Sequence, residues 1–194
     1  MDPIDSLSLK KDSTLAMIRS AQHRNLDVYY LRQEDLVIHE GKVCGLISNL
    51  KLREDFAQTL DPAIAGNDWY SLGEETLRPL ADMDIIMMRK DPPFDMEYIY
   101  TTYLLERAEI DGAFVVNKPG SLRDCNEKLF ATTFPQCCPD LVVSRRMDVL
   151  KAFHKTHKNV VFKKLDGMGG ASIFRVMEND PNLTVVIETL TENG

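Results

Sequence analysis

The stretch "FKKLDGMGGASIFRV", residues 162–176, joins two apolar runs through a glycine-rich turn. This pattern predicts a strand, a turn with Gly167, Gly169 and Gly170, and a second strand that pairs as an antiparallel hairpin. P-loops and dinucleotide-binding turns lead into a helix, whereas this turn leads into a strand. Two interpretations stay open: a plain hairpin, or a flexible loop whose backbone N–H groups cover a phosphate. In the second, Lys163 supplies an ammonium group from the strand end.

The composition of the whole chain is typical of a soluble globular protein. The 194 residues, 44% hydrophobic and 27% charged, correspond to one or two domains. A net charge of −7 without a basic stripe argues against nucleic-acid binding. No apolar run approaches the roughly 20 residues that span a bilayer, and no secretory signal is expected. We therefore expect a cytoplasmic protein without a nucleic-acid or membrane partner.

The cysteines and two histidines could suggest metal or redox chemistry. The four cysteines form no CxxC pair, and Cys137 and Cys138 are adjacent. Small buried side chains in a reducing compartment are favoured over a redox pair or metal ligands. His154 and His157 are three residues apart on a predicted helix without a third ligand nearby, which favours a solvated helix face over a metal site.

Hydrophobic periodicity outlines the first part of the chain. A helix is predicted to begin at Ser13, followed by a strand in "LDVYYL" (26–31) and a hairpin in "DLVIHEGKVCGLIS" (35–48) that turns at residues 40–42. An α/β domain normally places a strand before its first helix, so we expect the first strand of the fold to be missing. The alternative is a domain that begins with a loop.

The middle of the chain alternates apolar strands with a helix. The run Ile85–Met88 predicts a buried parallel strand, and "AFVVN" (113–117) predicts the next one. Between them a helix begins at Asp95. Its predicted apolar face consists of Met96, Ile99, Tyr100, Tyr103, Leu104 and Ala108. The alternation predicts a doubly wound parallel sheet.

The pattern changes after "NKPGS" (117–121), which places a domain boundary near residues 118–123. Ser121 and Asp124 predict a capped helix in "DCNEKLFATTF" (124–134), and "LVVS" (141–144) predicts a short strand. Further helices are predicted in "MDVLKAFHKTHK" (147–158) and "NLTVVIETL" (182–190).

Two further cations are candidates for ligand binding. Lys128 lies early in the predicted helix, where a solvated side chain is the alternative. Arg89 follows the Ile85–Met88 strand, and ligands of open α/β sheets bind beyond the carboxyl ends of the strands. Its planar guanidinium suits a carboxylate ligand. The alternative for Arg89 is a salt bridge to Asp91 or Asp95.

Three long motifs resemble the bacterial glutathione synthetases of the ATP-grasp superfamily: "MRKDPPFDMEYIYTTYLLERAE", "NKPGSLRDCNEKLF" and "LDGMGGASIFRV". The resemblance extends to "MDPI" and "KKDS" near the first residue. It implies an α/β fold in two parts. Residues 1–122 would form a Rossmann-like pre-ATP-grasp domain with a parallel sheet. Residues 123–194 would begin an α+β ATP-grasp domain that is incomplete.

The resemblance also implies an activity. ATP, γ-glutamylcysteine and glycine would give glutathione, ADP and phosphate through an acyl phosphate, in a homotetramer whose partners are these small molecules. The present chain alone is expected to be inactive, because the Mg²⁺ ligands are expected beyond it. Alternatives are another ATP-grasp carboxylate–amine ligase and a truncated product without catalysis.

Site residues follow from the same motifs. The residues implied to bind ATP are Lys128, Lys163, Gly167, Met168, Gly169 and Gly170. The residues implied to bind the dipeptide are Arg89, Lys11, Asp12 and Ser13. One departure is Lys164, where the family usually has proline.

Overall fold

A computed structural model describes residues 1–90, 93–126 and 128–192 and has a mixed α/β fold. The chain divides into two compact units, Met1–Arg123 and Asp124–Gly194. The α-helices are α1 (Ser13–His23), α2 (Glu54–Thr59), α3 (Pro62–Ala65), α4 (Met96–Ile110), α5 (Pro119–Asp124), α6 (Met147–His157) and α7 (Leu183–Thr191). The strands are β1 (Tyr29–Tyr30), β2 (Leu36–His39), β3 (Lys42–Leu52), β4 (Tyr70–Leu72), β5 (Thr76–Pro79), β6 (Ile86–Met87), β7 (Val115–Val116), β8 (Val160–Lys163) and β9 (Ile173–Val176).

The main sheet of the first unit is built on the long strand β3. Strands β1, β2, β4 and β5 all pair with β3 in antiparallel fashion. The predicted β2–β3 hairpin is confirmed, and Glu40 and Gly41 take positive φ angles of 49° and 76° at its turn. At the other end of β3, Tyr70 pairs with Leu52, and its hydroxyl donates to the Asp5 carboxylate at 2.7 Å. Parallel pairing, which the alternation predicts, occurs between β6 and β7.

Helix α4 begins and ends where the sequence predicts, but it buries only part of the predicted face. Met96 and Tyr100 are 64% and 63% exposed, and Tyr103 is exposed as well. The side chains that α4 buries are Thr101, Thr102, Leu105 and Ala108. The prediction is confirmed for Ala108, and Leu104 packs against the core, but it was wrong for the three exposed residues. The helix carries large apolar side chains on its outer face, so periodicity alone cannot tell which side meets the core.

The strands next to α4 are only half covered. Ile86 and Met88 pack against the core formed by Leu80, Leu105 and Val115. The other face of the pair exposes Ile85, Met87 and Phe114, so the prediction of fully buried strands was wrong.

The second unit contains the predicted hairpin of β8 and β9, with Lys163 opposite Ile173. Its core consists of Leu150, Val160, Phe162, Val176 and Ile187, from α6, both strands and α7. The prediction of α7 is confirmed despite its β-branched residues, and Leu183, Val186 and Leu190 pack against this core.

The predicted helix over residues 124–134 was wrong. Helix α5 ends at Asp124, and the described residues up to 134 then form a short 3₁₀ turn at Phe130–Thr133 and no α-helix. The Asn126 side chain accepts hydrogen bonds from the backbone N–H groups of Lys128 (3.1 Å) and Leu129 (3.3 Å). Such side-chain turns compete with helical bonding. The strand predicted at residues 141–144 was also wrong, since this segment is irregular.

Two minor predictions need correction. His154 is buried, not solvated, and its Nε2 lies 3.1 Å from the Met177 carbonyl. Cys137, which was predicted to be buried, is exposed. All four cysteines are free thiols. In the part of the chain that the structure describes, no group of three His, Cys, Asp or Glu residues could hold a metal. None of the described helices is long and apolar enough to cross a membrane.

Candidate functional site

The turn before α1 is organised by Asp12. Its carboxylate accepts hydrogen bonds from the backbone N–H groups of Thr14 (2.7 Å) and Leu15 (3.3 Å) and so caps the helix. Ser13 and Thr14 are therefore fixed in the first turn, with Ser13 exposed and Thr14 buried. The predicted residue Lys11 is exposed, and its side chain forms no hydrogen bond or ion pair with any described residue.

Arg89 and Ser13, both predicted site residues, lie together although they are 76 residues apart in the chain. The Arg89 guanidinium donates from Nη2 to the Ser13 hydroxyl at 2.7 Å and from Nε to the Thr14 hydroxyl at 3.1 Å. Thr14 was missed from the sequence, since a threonine in a first helical turn gives no signal of its contact with a distant arginine.

The alternative of a salt bridge for Arg89 is tested only in part. Asp91 lies outside the described residues. The Asp95 carboxylate instead caps α4 and accepts from the Tyr98 backbone N–H at 2.9 Å. Over residues 1–90, 93–126 and 128–192, no carboxylate pairs with Arg89. Its charge therefore faces hydroxyl groups and is not neutralised by an anion there.

The β8–β9 hairpin presents Lys163 on its exposed face. The neighbouring side chains on that face, Val161 and Ile173, are also exposed. The Lys163 ammonium forms no hydrogen bond or ion pair within the described ranges. A cation beside exposed apolar side chains could contact both a charged and an apolar part of one ligand.

Lys164 behaves differently from its neighbour. Its ammonium lies 2.5 Å from the Glu192 carboxylate and 3.7 Å from that of Asp166. The hydrogen bond to Glu192, followed by the charge of Asp166, raises the pKa of Lys164 above its ordinary value. The same bond lowers the pKa of Glu192. Lys164 therefore ties the strand end to the end of α7.

The glycine loop between the strands needs glycine at two positions. Gly169 and Gly170 have φ angles of 60° and 81°, a region that other residues rarely adopt, and a Cβ atom at either would meet no atom within 4 Å. Gly167 is restricted by space, because a Cβ atom there would lie 3.2 Å from the Ala171 carbonyl. The Met168 carbonyl accepts from the Ala171 N–H at 3.0 Å and closes the turn.

Lys128 contacts this loop directly. It lies in the turn after Asn126, not on a helix, and its ammonium donates to the Leu165 carbonyl at 3.0 Å and to the Gly167 carbonyl. The adjacent Glu127, part of the quoted motif, lies outside the described residues. The structure thus brings the predicted residue Lys128 to the predicted glycine loop.

Comparison with known proteins matches both units to one family. Residues 1–123 match the family model described as prokaryotic glutathione synthetase, N-terminal domain, and residues 127–194 match its ATP-grasp domain. The chain is 54% identical over 194 residues to a glutathione synthetase of Pseudomonas putida. It is 55% identical to one of Pseudomonas syringae pv. tomato and 50% identical to one of Vibrio parahaemolyticus. In each comparison all of the chain is covered, and it spans 58% of the relative's length. The chain therefore belongs to the prokaryotic glutathione synthetase family.

Proposed function

We propose that the protein carrying this chain is a glutathione synthetase. It ligates γ-glutamylcysteine to glycine at the expense of ATP and releases glutathione, ADP and phosphate. The observation that carries the proposal is the succession of two matches to the same synthetase family, over residues 1–123 and 127–194.

The chemistry requires activation of a carboxylate. A carboxylate does not react with an amine at neutral pH, because its oxygen is a poor leaving group. Transfer of the γ-phosphoryl group of ATP to the cysteinyl carboxylate gives an acyl phosphate and ADP. The glycine amine then attacks the acyl carbon, the C–O bond to phosphate breaks, and the amine loses a proton. Catalysis of phosphoryl transfer rests on positioning and on stabilisation of negative charge.

We assign the nucleotide to the second unit, with Lys128, Lys163 and the loop Gly167–Gly170. The loop supports this assignment because Gly169 and Gly170 are exposed and have positive φ angles, a conformation in which backbone N–H groups can approach an anion. Lys163 supports it because its ammonium has no partner among the described residues. Lys128 supports it by its contact with the loop, where a phosphate could replace the two carbonyl oxygens.

The family implies Mg²⁺, but the described residues contain no group of side chains that could bind it. Mg²⁺ is usually bound by one or two carboxylates together with substrate phosphates. The described acidic residues do not cluster in this way with a third potential ligand. We therefore assign no Mg²⁺ ligand to this chain and route no step through the metal.

We assign the dipeptide carboxylate to Arg89, with Ser13 and Lys11 at the same turn. The hydroxyl partners of Arg89 support this, because its charge remains available to an anionic ligand. Asp12 contributes by capping α1, which fixes the position of Ser13.

The finer architecture follows the same proposal. We infer that residues 1–122 are the Rossmann-like pre-ATP-grasp domain and that residues from 123 belong to the ATP-grasp domain. The parallel pair β6–β7, joined through α4, supports the Rossmann-like description. The family resemblance further suggests a cytoplasmic homotetramer that acts on small molecules.

The test is ADP release by the protein that carries this chain. We expect ADP only when γ-glutamylcysteine and glycine are both present, with glutathione identified by mass spectrometry. Hydroxylamine in place of glycine should trap the acyl phosphate as a hydroxamate of the dipeptide. ADP release that does not depend on the dipeptide, or that is faster with another acid, would contradict the proposal.

A further inference from the structure

The hydrogen bonds of Arg89 occupy one defined edge of its guanidinium. Nε and Nη2 lie on the same side of this planar group, and they donate to Thr14 and Ser13 respectively. A second edge of the group is formed by Nη1 and Nη2. Nη1 bonds neither Ser13 nor Thr14, and no other described residue pairs with this edge. Two parallel N–H groups on one edge are the arrangement that binds a carboxylate bidentately.

The two hydroxyl partners are not equivalent. Thr14 is 8% exposed, whereas Ser13 is exposed. Thr14 is also held by its backbone N–H, which donates to Asp12 at 2.7 Å, and its branched side chain has few rotamers available in a helix. Ser13 can rotate towards solvent or a ligand. Thr14 is therefore the fixed partner that sets the plane of the guanidinium.

We propose that Thr14 is a positioning residue that orients Arg89, so that the Nη1–Nη2 edge receives the carboxylate of the substrate. The proposal rests on the proposed function, which assigns the dipeptide to Arg89. Thr14 does not contact the substrate. It acts through its hydrogen bond to Nε of Arg89. A residue that only stabilised the fold could make the same bond, so the test must separate orientation of Arg89 from stability of the protein.

The experiment compares Thr14→Val with Thr14→Ser in the protein that carries this chain. Valine keeps the shape and removes the hydroxyl, while serine keeps the hydroxyl. Dissociation constants for γ-glutamylcysteine and for ATP are measured by titration calorimetry. We expect Thr14→Val to weaken dipeptide binding about tenfold, because a misaligned guanidinium would form one charge-assisted hydrogen bond fewer to the carboxylate. ATP affinity should be unchanged, and Thr14→Ser should bind the dipeptide normally.

Thr102 offers a matched control in the same unit. It is a buried threonine whose hydroxyl accepts from a different arginine, Arg123, at 3.0 Å. Thr102→Val should lower the melting temperature but leave dipeptide affinity unchanged. An equal loss of dipeptide affinity in Thr102→Val would overturn the inference, because general destabilisation would then explain both variants.

A double-mutant cycle keeps the test decisive if Thr14→Val is unstable. Lysine lacks the Nε edge, so in an Arg89→Lys background Thr14→Val should change dipeptide affinity less than twofold. A further large loss in that background would overturn the inference. Normal binding by Thr14→Val, with weak binding by Arg89→Lys, would overturn it but leave the proposed function intact. Normal binding by Arg89→Lys would overturn the assignment of the dipeptide to Arg89 as well.

Discussion

Lys128 should hold the glycine loop in place in the absence of any ligand, and Lys128→Met should release it. The ammonium donates to two loop carbonyls, those of Leu165 and Gly167. A partly exposed hydrogen bond contributes about 0.5–1.5 kcal/mol net. The two share one ammonium group and are not fully additive, so together they stabilise the observed loop by roughly 1–2 kcal/mol. That free energy corresponds to a change of roughly 5–30-fold in the equilibrium between the observed loop and its open forms.

Amide hydrogen exchange measures this equilibrium directly. The Ala171 N–H is bonded within the loop to the Met168 carbonyl, so its protection reports loop opening. We expect Lys128→Met to speed its exchange roughly 5–30-fold, in line with the free energy above. Amides of α6 should exchange as in the wild-type protein.

Lys163→Met is the matched control, because it removes an identical charge from the same unit. The Lys163 ammonium has no bonded partner among the described residues, so loop exchange should change less than twofold in this variant. If the proposed function holds, both variants should lose ATP affinity. ATP binding therefore cannot separate the two lysines, whereas exchange can. Equal exchange rates in the two variants would refute the reasoning.

Three further predictions concern backbone conformation, pH and packing. Gly169→Ala should cost about 1–2 kcal/mol in the loop and weaken ATP binding, whereas Gly41→Ala, at a similar positive φ, should lower the unfolding free energy of the first unit but spare ATP binding. The hydrogen bond to Asp5 raises the pKa of Tyr70 to about 12, above about 10 in an unfolded chain. Its stabilising contribution is therefore complete below pH 10 and is lost as the pH rises towards 12. Unfolding free energies of Tyr70→Phe should show a weaker decline over that range. Ile187→Ala, at a fully buried position, should cost about 2–5 kcal/mol in denaturant unfolding. Val185→Ala, at a position that is 60% exposed, should change the unfolding free energy by less than about 0.5 kcal/mol.

Local signals in the sequence predicted the elements that local interactions determine. The hairpin turn at Gly41 and the glycine loop before β9 require positive φ, which glycine marks in a sequence. The start of α4 is marked by Asp95, whose carboxylate caps the helix. Each of these residues lies within a few positions of the turn or helix end that it determines. Predicting such features therefore needs no knowledge of the tertiary fold.

Tertiary contacts decided what the sequence did not predict. Helix α4 has apolar residues on two sides, and only the packing of Leu105 and Ala108 against the core selects one of them. Lys128 was predicted on a helix because the sequence pattern does not reveal the side-chain turn at Asn126, which competes with helix formation. In the candidate site the sequence supplied Arg89 and Ser13 separately, but their contact and the part played by Thr14 required the structure.

The two cations Arg89 and Lys163 are available to an anionic ligand, in contrast to Lys164. Lys164, next to Lys163, lies within ion-pair distance of two carboxylates. Arg89 and Lys163, in contrast, have no carboxylate partner over residues 1–90, 93–126 and 128–192. An anionic ligand at either cation would not have to displace an existing ion pair there. The Coulomb attraction between ligand and cation would therefore not be offset by the loss of an ion pair, and only solvent screening would weaken it.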